Sequence, residues 1–358
     1  MSIETTIIEP ARGDGGGRRS RAASRAASPP ATLIQALRYG NGGLPSGPMP
    51  TDLRALLGGR PIGCHMPLGR GMVRAVERGQ EIGAAVLQVF ADNPTAWRRR
   101  TAPPAELPAF RARLAELDFG PTAVHAAYLI NLAGADDDFW ARSIEGLAAE
   151  LRMAVPYGAA FVVVHAGSHR GTSPEAGRAR LGLGMARALA AAGSLPDGPL
   201  LVLENSAGGG DAVGVRLEEL AEILEEASRQ GADEERLKVC LDTAHLWAAG
   251  YEISRPEGLD EVLHRFDELL GPSRLAMLHL NDAKAGLGSH ADRHQHLGAG
   301  QIGPLGLGHL LRHERLARVP AYLETPGMDE GFDAVNMARA RLLIAGEPLP
   351  DLPEAGAA

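Results

Sequence analysis

Between Leu278 and Gly300 the chain reads Leu278-His279-Leu280-Asn281-Asp282-Ala283-Lys284, continues through Asp292-Arg293-His294-Gln295-His296, and closes on Gly298-Ala299-Gly300. Four of the twelve histidines and two aspartates fall in this stretch, which opens apolar and then turns polar and glycine-rich. A strand feeding a loop of metal ligands has this texture. Imidazole and carboxylate together suit zinc or manganese, because borderline cations accept nitrogen and oxygen donors alike. A solvated His-rich surface loop has the same composition, so the discriminating residues must be sought elsewhere in the chain.

They lie at the ends of short apolar runs. Segments 61–65, 85–90, 122–125, 160–165, 200–204, 237–242, 275–279 and 320–324 are each mostly aliphatic or β-branched, as expected of strands buried on both faces. Seven of the eight end on a metal-ligating type: His65, His125, His165, Glu204, Asp242, His279 and Glu324. The second run ends on Phe90, with Asp92 and Asn93 following, and supplies none. A single polar strand end is ordinary. Seven together predict a multi-metal site, since that much polarity at one mouth is costly without partners. Asp242 and His245 stand at an i, i+3 spacing where the sixth strand gives way to a loop or first helical turn, and Asp292 and His294 project to one side of extended backbone. His245, Asp292 and His294 are therefore expected to complete a separate three-ligand site. His169, His264, His290, His296, His309 and His313 read as surface or supporting groups.

The elements that must position these residues alternate. Helix-length patterns at 71–82, 138–157, 174–192, 217–230 and 259–270 separate the apolar runs, which predicts an α/β fold, a parallel (β/α)8 TIM barrel whose strand ends converge on one face. A doubly wound open sheet is the alternative, but Gly69-Arg70-Gly71 is too short for the nucleotide loop that fold would carry. The barrel is assigned to residues 59–345. Residues 1–58, rich in Gly, Ser, Pro, Ala and Arg and without periodicity, read as a disordered N-terminal extension, and 346–358 as a C-terminal tail. The opening segment has no apolar core for secretion, and Glu4 and Glu9 spoil a transit-peptide pattern.

Composition sets outer limits. The chain has 358 residues, 45% hydrophobic and 22% charged, and no run long enough to cross a membrane, so no membrane partner is expected. Two cysteines, Cys64 and Cys240, sit in apolar runs far apart and read as buried thiols in a cytoplasmic protein. The formal charge of -8 does not exclude a nucleic-acid substrate, because carboxylates gathered round cations inflate that count.

His125-Ala-Ala-Tyr-Leu-Ile-Asn-Leu132, His165-Ala-Gly-Ser-His169, Leu203-Glu-Asn-Ser-Ala-Gly208, Cys240-Leu-Asp-Thr-Ala-His245, His279-Leu-Asn-Asp-Ala-Lys284, Asp292-Arg-His294 and Leu323-Glu-Thr-Pro-Gly327 follow one another in an order that resembles the endonuclease IV family of apurinic/apyrimidinic endonucleases. The resemblance runs from about Pro61 to Met337. It implies a TIM barrel with three zinc ions per chain, manganese being an alternative occupant at some positions. It also implies hydrolysis of duplex DNA on the 5′ side of abasic sites in base excision repair, with 3′-end cleaning as a companion activity, by a monomer. By the same resemblance His125, His165 and Glu204 hold one ion. Glu204, the bridging catalytic carboxylate, holds a second with Asp242, His279 and Glu324, and His245, Asp292 and His294 hold the third. Tyr128 and Leu129 match the family's DNA wedge, and His65 matches a position near the site that is not a ligand.

The chain departs from the family pattern at Thr95, where relatives carry Arg, so that the DNA-inserting cation is lost unless Arg98, Arg99 or Arg100 substitutes. It departs also at Ala299, in place of an acid, and at Met66-Pro67, in place of Val-Ser. Two further readings stay open: a metal-dependent sugar isomerase or epimerase of the xylose-isomerase-like superfamily, and a DNA-lesion-binding protein with weakened catalysis.

Overall fold

The computed structural model describes residues 53–353. Eight strands close into a parallel barrel: β1 (Ile62–His65), β2 (Leu87–Val89), β3 (Thr122–His125), β4 (Phe161–His165), β5 (Leu200–Glu204), β6 (Leu237–Asp242), β7 (Leu275–His279) and β10 (Ala321–Leu323), in the order β1-β10-β7-β6-β5-β4-β3-β2. The expected TIM barrel is observed, and each strand falls within its apolar run. Between β7 and β10 a short antiparallel ribbon pairs β8 (Asp282–Ala283) with β9 (His294–Gln295). The helices described are α1 (Met72–Glu81), α2 (Leu107–Glu116), α3 (Asp137–Tyr157), α4 (Pro174–Ala192), α5 (Leu217–Arg229), α6 (Thr243–Ala248), α7 (Pro256–Leu270), α8 (Gly303–Arg312) and α9 (Phe332–Ala345).

Alternation along the strands sorts the core into two layers. Val86, Ala123, Val163, Val202, Cys240, Met277 and Tyr322, with Phe161, form one buried cluster inside the barrel. Leu87, Val124, Val162, Val164, Leu201, Leu203, Leu241 and Leu278 belong to the larger cluster between barrel and helices. The residue two positions after each of the first seven names repeats its facing, because the strand period is two. Those residues are Gln88, His125, His165, Glu204, Asp242, His279 and Glu324. A polar tier is thus stacked on an apolar tier at the C-terminal end of the barrel, where sites in this fold are built.

The boundary of the N-terminal extension needs correction. Leu57 is fully buried, Arg54 stacks on Phe119 at 4.2 Å and donates from Nε to Ala84 O, and Arg341 donates to Leu53 O, so packed structure already includes residues 53–58. The cause is local: Leu57 supplies an apolar plug that the surrounding glycine-rich composition hides. At the other end the last helix stops at Ala345, and beyond it Leu349 packs on the core while Arg339 donates to Pro350 O. The expected disorder of the segment before residue 53 lies outside the described residues. Both cysteines are free and buried, as their apolar settings predict.

Candidate metal centre

Barrel-strand ends, helix α6 and the β8–β9 ribbon with its loop bring four carboxylates and five imidazoles together at one cavity of about 360 Å³, lined by His65, Phe90, His125, Tyr128, His165, His245, Asp292, His294 and Glu324 among others. Glu204, Asp242 and His279 form its fully buried floor. Three tight donor groups result: His125 with His165 and Glu204; Glu204 with Asp242, His279 and Glu324; and Asp242 with His245 and His294. Asp292, half exposed, brings Oδ1 to 3.3 Å from Nε2 of both His245 and His294. All nine residues singled out from the sequence therefore meet. The third group is not separate as expected, because Asp242 belongs both to it and to the central group: one of its oxygens lies 3.6 Å from His294 Nε2 and 4.0 Å from His279 Nδ1.

The way these imidazoles are held decides which atom each presents. His125 donates from Nδ1 to Ala126 O (2.7 Å), His245 from Nδ1 to Asn205 O (2.9 Å), and His294 from Nδ1 to Glu324 O (3.0 Å). His279 is turned the other way and donates from Nε2 to Gln88 Oε1 (2.9 Å). An imidazole whose one N–H is anchored on a protein acceptor offers the opposite lone pair, as metal-binding histidines do. His125 Nε2 and His165 Nε2 face each other at 3.2 Å, and Glu204 Oε2 stands 3.3 Å from the latter. Those separations match the edge of a tetrahedron of zinc ligands, about 3.3 Å for bonds of about 2.0–2.1 Å. Glu204 Oε2, His245 Nε2 and His294 Nε2 are buried without a hydrogen-bond partner, which is costly unless a cation satisfies them. The donor set thus fits divalent cations of the borderline class.

The electrostatics mark where positive charge is favoured, whether carried by imidazolium or by a cation that displaces its proton. Burial, with the His165 charge added, pushes His125 down to about 3, so it is a neutral ligand. Burial would also depress His245 and His294, but the carboxylates led by Asp242 outweigh it and hold them up at about 10 and about 9. Glu204 is buried, yet His279 and His165 keep its carboxyl well below the usual range. The site is a lattice of opposed charges.

Gln88 is the functional residue that strand-end reasoning passed over. Fully buried, it accepts from His279 and donates from Nε2 to Glu324 Oε1 (2.6 Å), with His65 Nδ1 3.0 Å away. Its position two residues past Val86 was the available signal; the apolar run continues to Phe90 and conceals it. His65 lies 3.3 Å from Glu324 Oε1 and, like Gln88, supports that carboxylate.

On the rim, Tyr128 is 57% exposed and packs edge-on against Phe90 at 5.2 Å, while Leu129 beside it is half-buried. Thr95 closes a turn on Asn93. Arg99 points inward to Glu150 (3.3 Å) and Arg100 to Asp92 (3.3 Å), which leaves the exposed Arg98 as the member of that trio without an ion pair among the described residues. Ala299 is exposed in a turn, so no buried group misses an acid there.

Comparison with known proteins resolves the identity of this barrel. A family model described as xylose isomerase-like TIM barrel matches residues 76–344. A protein of Methanoculleus marisnigri named probable endonuclease 4 is 38% identical over 283 residues, 79% of this chain and 98% of its own. The chain belongs to the endonuclease IV family. A relative of the same name from Chloroflexus aurantiacus is 37% identical over 286 residues, 80% of this chain and 98% of its own. The crystal structure of endonuclease IV from Thermus thermophilus has a TM-score of 0.68 at 39% identity, covering 80% of this chain and 99% of that one. As a member of the endonuclease IV family, the protein is a hydrolase, an apurinic/apyrimidinic endonuclease. A D-tagatose 3-epimerase-like protein shares the fold, with a TM-score of 0.58 at 16% identity, so the barrel alone does not decide the chemistry.

Proposed function

We propose that this family member hydrolyses the phosphodiester on the 5′ side of abasic sites in duplex DNA, using three zinc ions, and that it also trims blocked 3′ ends. It would act in the cytoplasm as a monomer. The observation that carries this reading is the fusion of the His245, Asp292 and His294 group to the central one through Asp242. Nine donors in contiguous groups exceed what a sugar isomerase of the same superfamily needs for its cations.

Residue roles follow from position. His125 and His165 would hold one cation and His245, Asp292 and His294 another, while Asp242, His279 and Glu324 would serve the central one. Glu204, with one oxygen toward His165 and the other 2.9 Å from His279, would join the first to the centre. Bound there, the cations neutralise the phosphodiester and make water acidic enough to attack near neutral pH. Tyr128 and Leu129 offer an apolar edge of the kind that enters a kinked base step. An abasic nucleotide has lost its stacking and is extruded at lower cost than an intact one. Arg98, exposed and without an ion pair among the described residues, would supply the cation in place of the arginine replaced by Thr95.

The test is a duplex with a single abasic-site analogue, incubated with the metal-loaded protein with and without a strong chelator. Nicking 5′ of the lesion, lost on chelation and in Glu204→Gln with the fold retained, is the expected result. Turnover of an aldose or ketose without nicking would overturn the reading in favour of the isomerase. Binding to the lesion without cleavage would favour a recognition protein.

A further inference from the structure

Outside the barrel mouth a second set of donors converges. Asp260 sits on the outer side of α7, whose core face is Leu259, Val262, Leu263 and Phe266. His309 on α8 and His313, one residue beyond that helix, are four positions apart and lie on the same side. Their Nε2 atoms address one oxygen, Asp260 Oδ1, at 3.0 and 3.3 Å. The two rings stand at 89° with centroids 5.5 Å apart, and all three donor atoms lie within 4.8 Å of one another.

We propose that Asp260, His309 and His313 form a further divalent-cation site that clips α7 to α8. The two nitrogen-to-oxygen separations are close to the tetrahedral edge of about 3.3 Å that nitrogen and oxygen ligands take round zinc, and the two nitrogens lie within 4.8 Å of each other. Two imidazoles and one carboxylate select zinc, nickel or cobalt over magnesium or calcium, which want oxygen ligands. Asp260 is 56% exposed while the histidines are 27% and 23% exposed, so water completes the coordination from the open side. The Asp260 carboxyl is held below its ordinary range by its hydrogen bond to His309, and is therefore an anionic ligand at neutral pH.

One local bond opposes binding and sets its strength. His313 Nδ1 accepts the Arg315 amide hydrogen at 3.2 Å, which places the neutral ring's proton on Nε2. A cation on Nε2 moves that proton to Nδ1 and gives up the Arg315 bond, so this site fills after the buried centre. This site is independent of the chemistry at the barrel mouth and of the nucleic acid the enzyme cuts.

The probe is zinc alone. Metal-loaded wild-type protein and His309→Ala/His313→Ala are dialysed to equilibrium against buffered free zinc, their zinc content is measured, and their melting temperatures are followed as zinc is raised. One zinc ion more per chain in wild type, with a melting-temperature rise of roughly a few degrees that the double variant lacks, is expected for a ligand that binds the folded state. Asp260→Asn, at an exposed carboxylate on the helix surface, gives the same comparison should the double variant fold poorly. Equal zinc content and equal melting curves in wild type and variant would overturn the proposal.

Discussion

Gln88 shows how much of the candidate metal centre is carried by a residue outside its donor groups. Its amide fixes the ring face of His279 with one atom and the carboxylate of Glu324 with the other. Gln88→Leu keeps the volume and removes both bonds. Loss of such support typically weakens metal retention by about 10- to 100-fold. The measurement is the rate of zinc loss to a competing chelator, and an unchanged rate would show that packing alone orients His279. Glu150 gives a pH prediction at the same level. It is 2% exposed, and burial, only partly offset by Arg99, pushes its carboxyl up to about 7 from 4.5. Between those values the folded chain keeps a proton that the unfolded chain releases. The associated stability is complete below about pH 4.5 and lost as pH rises through about 7, by up to about 3 kcal/mol. Urea midpoints across that window should fall in wild type and flatten in Glu150→Gln.

The ribbon of β8 and β9, with the loop between them, carries Asp292 and His294 but has little core of its own. Its anchor is Asp282, fully buried, whose carboxylate accepts the amide hydrogens of Ala283 (2.8 Å), Gly300 (3.0 Å) and Ile302 (3.0 Å) and reaches Gly303 at the start of α8. Gly300 is required here for space, because a Cβ would stand 2.4 Å from Ala283 O and 2.6 Å from Asp282 Oδ1. Asp282→Ala strands several buried amides, at a cost of about 1–3 kcal/mol. It should also lower zinc occupancy of the His245 group more than that of the His125 group. Site-resolved metal content together with a urea melt checks both parts, and uniform loss across the groups would mean that Asp282 supports the fold rather than the ribbon.

For the molecule as a whole, the centre is a keystone. Five barrel strands end on it through His125, His165, Glu204, Asp242 and His279, Glu324 follows β10 directly, and β2 and β1 reach it through Gln88 and His65. Buried carboxylates without their cations repel one another and lose solvation. Stripping the protein with a chelator should therefore lower its melting temperature globally, with restoration on adding zinc, because a ligand bound only by the folded state stabilises it by mass action. Differential scanning calorimetry tests this, and an unshifted transition would mean that the charge lattice of imidazolium and carboxylate is self-sufficient.

The barrel and most of its ligands were legible from local pattern. A strand's alternation is dictated by its own backbone, so eight apolar runs, seven of them ending in His, Asp or Glu, define both the sheet and the tier of donors at its mouth. His125, Glu204 and Asp242 needed no tertiary information to be singled out. Leu57 and Leu349 were less visible because the few apolar residues beside glycine- and proline-rich segments are too few to show a period. Gln88 was hidden inside its run, and the sharing of Asp242 between two groups depends on how β6, α6 and the ribbon approach one another. The inward turn of Arg99 and the meeting of Asp260 with His309 and His313 likewise join residues dozens of positions apart. Local chemistry selects which side chains could bind a cation, but barrel closure and helix packing set the few ångströms that decide which of them share one.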